Sequence, residues 1–211
     1  MKEVPAPATL MQMFVTEVYR TDLAGSSADP LITRLEAASM RLARTDTAGR
    51  EWATRQGYMG YTSYESIADL RTEDPAFTEL VEMLDVQVTL YARLIELDLR
   101  GKSPRLAAMW INLLDQGGAH SAHIHTHSVF SGTLYLNIPT GAGALQFEDP
   151  RLGFMMCAPQ RLPSARPYRQ TFVPVPPSRG TLLLWESWLR HEVSTNQSPH
   201  QRLSISFNYD L

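Results

Sequence analysis

The chain has 211 residues, 44% apolar and 19% charged, with a formal net charge of −3. This is the composition of an ordinary soluble globular protein, and it lacks the basic excess that usually marks nucleic-acid binding. The single cysteine, Cys157, excludes an internal disulfide framework and a cysteine-based zinc site, and no window approaches the ~20 apolar residues of a membrane span.

The N-terminal stretch MKEVPAPATLMQMFVTEVY has a short, interrupted apolar run and no signal-peptide pattern, so a cytoplasmic location is expected. Residues 1–28 read as an extended lead-in, with Met11 to Tyr19 as an edge-strand candidate. Asp29-Pro30 then opens a helix, Asp as N-cap and Pro at the first position. Leu31, Leu35, Ser39 and Leu42 repeat at helical spacing. Residues 45–63 carry Gly49, Gly57 and Gly60 and overlap the cluster Tyr58, Tyr61 and Tyr64. The favoured reading is a loop packing aromatics on the core edge; the second is a loop lying against the functional site. Asp74-Pro75 repeats the start signal. Phe77, Leu80, Leu84, Val88, Tyr91 and Ile95 form the apolar stripe of a long amphipathic helix, which Gly101 and Pro104 end. The segment Leu99 to Leu106 is the best boundary. It divides a largely helical region, 1–106, from 107–211 within what is expected to be one compact domain.

Beyond it the pattern turns to strands. Ala108 to Leu114 is a strand candidate, followed by a turn at Gly117-Gly118 and then a histidine-rich strand. Phe130 to Pro139 and Ala144 to Glu148 come next, separated by a turn at Gly141–Gly143. Residues 150–177 hold half of the fourteen prolines and read as a long loop of the kind that often carries function, with Thr171 to Val175 as an edge strand. Gly180 to Trp185, His191 to Thr195 and Arg202 to Tyr209 complete seven or eight short strands, which suggests a sandwich or barrel.

Three histidines alternate in His123-Ile-His125-Thr-His127. Residues two apart on a strand share a face, so all three imidazoles would line one side. His191 stands far downstream beside another strand. Neutral imidazole is the usual nitrogen ligand for zinc, iron, copper and nickel. Two ligands from one strand and one from a distant strand leave coordination positions open. Alternation allows His123/His125 or His125/His127 as the pair, and the bland alternative is a solvated polar strand. His120 lies outside the alternating run and is not included. Downstream, Arg202, Ser204 and Ser206 share one face of their strand. An inward arginine is costly to bury unless paired. A carboxylate gripped by its fork, with a hydroxyl alongside, is the natural partner; for Arg202 alone, a structural ion pair is the other reading.

This combination resembles the 2-oxoglutarate/Fe(II)-dependent dioxygenase superfamily. The likeness rests on His123-Ile-His125, Ser131-Gly-Thr-Leu-Tyr-Leu-Asn137, Gly180-Thr-Leu-Leu-Leu-Trp185, His191 and Arg202-Leu-Ser204. More narrowly, it resembles a bacterial and phage branch of 2OG-Fe(II) oxygenases with His-x-His and a helical N-terminal region. The resemblance implies a fold mainly β with α: a double-stranded β-helix, or jelly roll, preceded and buttressed by N-terminal helices. It implies a non-haem Fe(II) and 2-oxoglutarate dependent dioxygenase that hydroxylates its substrate and releases succinate and CO2. Fe(II) would sit on His123, His125 and His191, with His127 as the alternative, and no catalytic residue is expected beyond these ligands. The far carboxylate of the cosubstrate would sit on Arg202 and Ser204, with a hydrogen bond from Tyr135. The partners implied are O2 and a small-molecule or peptide substrate, without nucleic acid or membrane. One departure is that His125 stands where the family has Asp or Glu, so the site is either three neutral ligands or two histidines with a carboxylate from elsewhere.

The rival readings are a cupin-type metalloprotein with a His-x-His…His site and a non-catalytic jelly-roll binding module. A zinc hydrolase is weaker and would need Glu148 or Glu192 as its acid or base. The Tyr58–Tyr64 and 150–177 segments are expected to shape a substrate pocket. The apolar face of the 74–99 helix would permit a homodimer without demanding one.

Overall fold

The strands of the second half alternate between two chemistries, and that alternation builds the molecule. From Arg202 to Asp210, Leu203, Ile205, Phe207 and Tyr209 join one apolar cluster, while Arg202, Ser204 and Ser206 line a cavity on the opposite face. From Arg105 to Leu114, Met109, Ile111 and Leu113 join the cluster, while Trp110 and Asn112 line the cavity. A pleated strand with one face on an apolar layer and the other on a polar interior separates its residues this way.

The computed structural model describes residues 9–211. The strands are β1 (Tyr19–Asp22), β2 (Gly60–Thr62), β3 (Arg105–Leu114), β4 (His120–His123), β5 (Phe130–Asn137), β6 (Leu145–Glu148), β7 (Phe172–Val175), β8 (Thr181–Glu186), β9 (His191–Val193) and β10 (Arg202–Asp210). The α-helices are α1 (Asp29–Thr45), α2 (Thr47–Arg55) and α3 (Pro75–Leu94). Two antiparallel sheets form, ordered β1-β8-β5-β10-β3-β2 and β4-β9-β6-β7. Together they are the expected double-stranded β-helix. α1 and α3 cover the outer face of the larger sheet: Leu35, Phe77, Leu80 and Leu84 pack with Leu134, Leu184 and Ile205, all inaccessible to solvent. A smaller cluster, with Leu183 and Trp185 from one sheet and Leu145, Phe147 and Val193 from the other, fills the barrel beside the cavity. β1 and β2, from the N-terminal half, extend the larger sheet at its two edges. No helix among the described residues is long and apolar enough to cross a membrane.

Several expectations shift. The edge strand near the start is Tyr19–Asp22 rather than Met11–Tyr19, and the first eight residues of the expected lead-in lie outside the described residues. Ala28, not Asp29, is the N-cap of α1. Asp29 is already helical and pairs with Arg179 at 2.7 Å. Residues 47–55 form a helix rather than a loop. Asp46 caps it, accepting from the Gly49 amide (2.9 Å), the Tyr61 hydroxyl (2.9 Å) and Ser66 Oγ (2.5 Å). A Cβ at Gly49 would strike the Asp46 carboxylate and Ser66, so this glycine marks crowding and not freedom. α3 is capped by Asp74 as expected, its side chain accepting from the Ala76 amide at 3.0 Å. It ends at Leu94, well before Gly101. Glu96 takes the left-handed conformation (φ 56°) while Leu97 N donates to Ala92 O and Glu96 N to Arg93 O. That is a Schellman stop with glutamate in the place glycine usually holds.

Candidate metal centre

The histidines meet, although not as alternation on one strand. β4 ends at His123, whose Cα opposes His191 across the β4–β9 pair. The chain then leaves the sheet, and His125 reaches the site from the irregular segment just before a turn, its amide donating to Ser187 O at 3.0 Å. His127 is exposed and stands outside the cluster. One ring nitrogen from each of His123, His125 and His191 lies within 4.8 Å of the others. The Nδ1 of His123 faces Ser121 O (2.6 Å) and that of His191 faces Leu189 O (2.9 Å). A carbonyl only accepts, so Nδ1 carries the proton in both rings and the Nε2 lone pair is left for a metal. Burial pulls the His125 imidazole down to about 4 and that of His191 to about 3. Both rings are therefore neutral near pH 7, the state a metal ligand requires.

His120 belongs at this site too, although the sequence reading set it aside. A bulge between His120 and His123 shifts the strand register, so residues three apart line the same cavity. Simple alternation could not reveal this. Tyr58 OH lies 2.8 Å from His120 Nε2 and 3.3 Å from Asn112 Oδ1, and burial pulls the His120 ring down to about 4. The Tyr58–Tyr64 segment therefore does lie against the site, the reading the sequence had placed second. Residues 150–177 line neither cavity at the site.

Arg202 is 2% exposed. It donates to Gly143 O (3.2 Å) and Ser204 Oγ (3.1 Å) and forms no ion pair among the described residues. The Tyr135 ring lies 5.1 Å from its guanidinium. The Tyr135 hydroxyl and the Trp185 indole N–H are buried without hydrogen-bond partners. Burial also pushes the Tyr135 hydroxyl above its usual pKa, against the pull of Arg202, so it is a neutral donor. All three side chains line one cavity of about 90 Å³, shared with His120, His123, His125 and His191. No carboxylate is among its lining residues. Glu148 pairs with Arg190 (3.1 Å) and Glu192 accepts from Gln146 (2.8 Å), and neither of these carboxylates, the ones a zinc hydrolase would use, lines the cavity. Three neutral nitrogen donors suit a divalent first-row metal. An unpaired guanidinium beside orphaned donors suits a small ligand rich in anionic oxygens, because buried donors are otherwise almost always satisfied.

A jelly roll that gathers three imidazoles and a buried arginine around one cavity is equipped to hold a divalent metal beside a small anion. Residues 108–208 match the family described as "Putative 2OG-Fe(II) oxygenase". That match covers just under half of the chain, and over it the chain is similar to oxidoreductases of the 2-oxoglutarate/Fe(II) class. Among solved structures it is similar to a Pseudomonas putida prolyl-4-hydroxylase, at 18% identity and a TM-score of 0.60 over 93% of this chain and 94% of that one. It is also similar to SnoN, the non-haem alpha ketoglutarate dependent epimerase of nogalamycin biosynthesis, at 14% identity and 0.62 over 92% and 76%. HygX from Streptomyces hygroscopicus, solved with nickel and 2-oxoglutarate bound, matches at 16% identity and 0.59 over 92% and 82%. At such identities these likenesses speak for the fold. No curated protein sequence matches the chain.

Proposed function

We propose that His123, His125 and His191 hold Fe(II), that Arg202 and Ser204 take the far carboxylate of 2-oxoglutarate, and that the enzyme hydroxylates a small-molecule or peptide substrate. The observation that carries this is Arg202: a buried guanidinium with no carboxylate of its own, in the same cavity as three convergent imidazoles. Bound there, iron and cosubstrate supply the oxidising chemistry, in which O2 is consumed, 2-oxoglutarate becomes succinate and CO2, and one oxygen atom enters a substrate C–H bond. The chain supplies placement. The Ser121 and Leu189 carbonyls fix the orientation of two ligand rings. Ser204 and Gly143 hold the guanidinium in place. Tyr135 OH and Trp185 N–H add donors to the cosubstrate oxygens, and Leu145 and Val193 keep water from its flank. Among the described residues no Asp or Glu joins this cluster or lines the cavity, so the proposed ligand set is the three imidazoles alone. A cytoplasmic setting fits the free, exposed thiol of Cys157.

The test is anaerobic addition of Fe(II) and then 2-oxoglutarate to the metal-free protein, watching for the visible metal-to-ligand charge-transfer band. The band is expected. Iron binding without it would move the protein to the cupin reading, and no iron binding at all would leave a binding module.

A further inference from the structure

A second cavity, about 410 Å³, opens outside the first and shares Trp110, Asn112, His120, His123 and His125 with it. The metal-ligating edge is thus a wall common to an inner chamber of cosubstrate size and an outer one in the range that holds whole small ligands. Its other walls set the aromatic side chains of Trp52, Tyr58 and Tyr64 beside Ile124, the exposed His127 and neutral hydroxyl and amide groups. Trp52 comes from α2, Tyr58 and Tyr64 from the segments flanking β2, and Trp110 from β3. Tyr64 meets Trp110 edge to face at 5.2 Å, and Trp110 stacks on His125 at 6.0 Å. Apart from the imidazoles, no ionisable acid or base of the Asp, Glu, Lys or Arg type lines it among the described residues. The polar groups at hand are neutral. Asn208 is one of them: its Oδ1 accepts from Ser131 Oγ at 2.9 Å, which leaves its amide N–H groups to donate.

From this lining we infer that the substrate is an uncharged, ring-bearing molecule with a hydrogen-bond acceptor, its ring lying among Trp52, Tyr64 and Trp110. This rests on the oxygenase reading for the word substrate, but the binding preference stands on the lining itself. An anionic group would lose its hydration and find no cation in the chamber. A cation would find aromatic faces, but no carboxylate, and Arg202 lies behind the partition, close enough to disfavour positive charge at His120. A neutral ring pays neither cost and gains stacking area on rigid side chains.

The test uses one ring in three charge states: benzyl alcohol, benzoate and benzylamine, titrated into the metal-free full chain and followed by ligand-observed NMR relaxation. Benzyl alcohol is expected to bind at least tenfold tighter than either ion. Trp52→Ala and Tyr64→Ala, at half-buried and exposed positions, are each expected to weaken it at least fivefold. Benzoate or benzylamine with the larger Trp52- and Tyr64-dependent affinity would overturn the inference, as would benzyl alcohol binding that neither substitution changes. The Fe(II) and 2-oxoglutarate titration is read separately on the unsubstituted chain, so absence of the charge-transfer band there counts against the oxygenase reading alone.

Discussion

The two faces of the six-stranded sheet share one backbone and differ in where their polar groups gather: one unpartnered hydroxyl, Ser39 Oγ, lies in the helical cover of the outer face, while the unpartnered donors of the inner face converge on one cavity. On the outer face, Leu134, Leu184, Leu203 and Ile205 meet α1 and α3 with no exposed surface, and the tyrosine hydroxyls there are bonded, Tyr209 to Asp85 at 2.7 Å and Tyr91 to Glu17 O at 2.9 Å. On the inner face, Arg202 lacks a counter-charge while Tyr135 OH and Trp185 N–H lack any acceptor. Unsatisfied buried donors cost stability, so the outer face supplies the stability that lets the inner face keep them for a ligand. The difference separates what folds the protein from what it binds.

The contrast can be tested from either side. The largest effect is expected from His191→Ala, which removes the proposed ligand on β9; metal affinity should fall by more than about 100-fold, as read by iron loading, with turnover at background. Next comes Ile205→Ala on the outer face, which should lower unfolding free energy by about 2–5 kcal/mol in denaturant titration while metal affinity stays within about twofold. Third, Arg202→Leu should weaken 2-oxoglutarate by about 30- to 100-fold, the worth of one or two charge-assisted hydrogen bonds, while the metal-free protein keeps or gains thermal stability because an unpaired buried charge is gone. A fall in stability comparable with that of Ile205→Ala would mean that Arg202 is structural and that the two faces do not differ in kind.

The smallest effect is a pH dependence confined to the inner face. His120 and His125 titrate at about 4 and His191 at about 3 when folded, against 6.5 for the free side chain. Between those values the unfolded chain binds more protons, so the metal-free protein should lose stability as pH falls from about 6.5 toward 4 and show no such slope above it. Thermal unfolding across that range, compared with His120→Gln, checks the sign: the substitution should flatten the slope.

Much of this was legible in the sequence because it depends on period. The two-residue alternation in Arg202 to Tyr209 put Arg202 and Ser204 on one face, where they are found, and the helical stripe from Phe77 to Tyr91 is buried as its spacing demanded. The errors fall where the period is interrupted. His123, His125 and His127 look like one strand face, but the strand stops at His123. His127 is carried outward, and the bulge brings in His120, which alternation had discarded. The glycines of 45–63 suggested a loop, because a glycine required by crowding against Asp46 reads in a sequence like one required by a turn.

By itself the sequence determined the chemical inventory and the layering: which strands have a polar face, which helices cover the apolar one, and that two distant segments carry the histidines and the arginine. These follow from local periodicity, which neighbours along the chain enforce. Only the tertiary structure decided which imidazoles converge, that Arg202 has no partner, and that Trp52, Tyr58 and Tyr64 wall an outer chamber against the same histidines. Those facts depend on strand register and on where the chain leaves a sheet. Both are set by long-range pairing between residues far apart in sequence, as β4 with β9 and β2 with β3, and no local pattern encodes them.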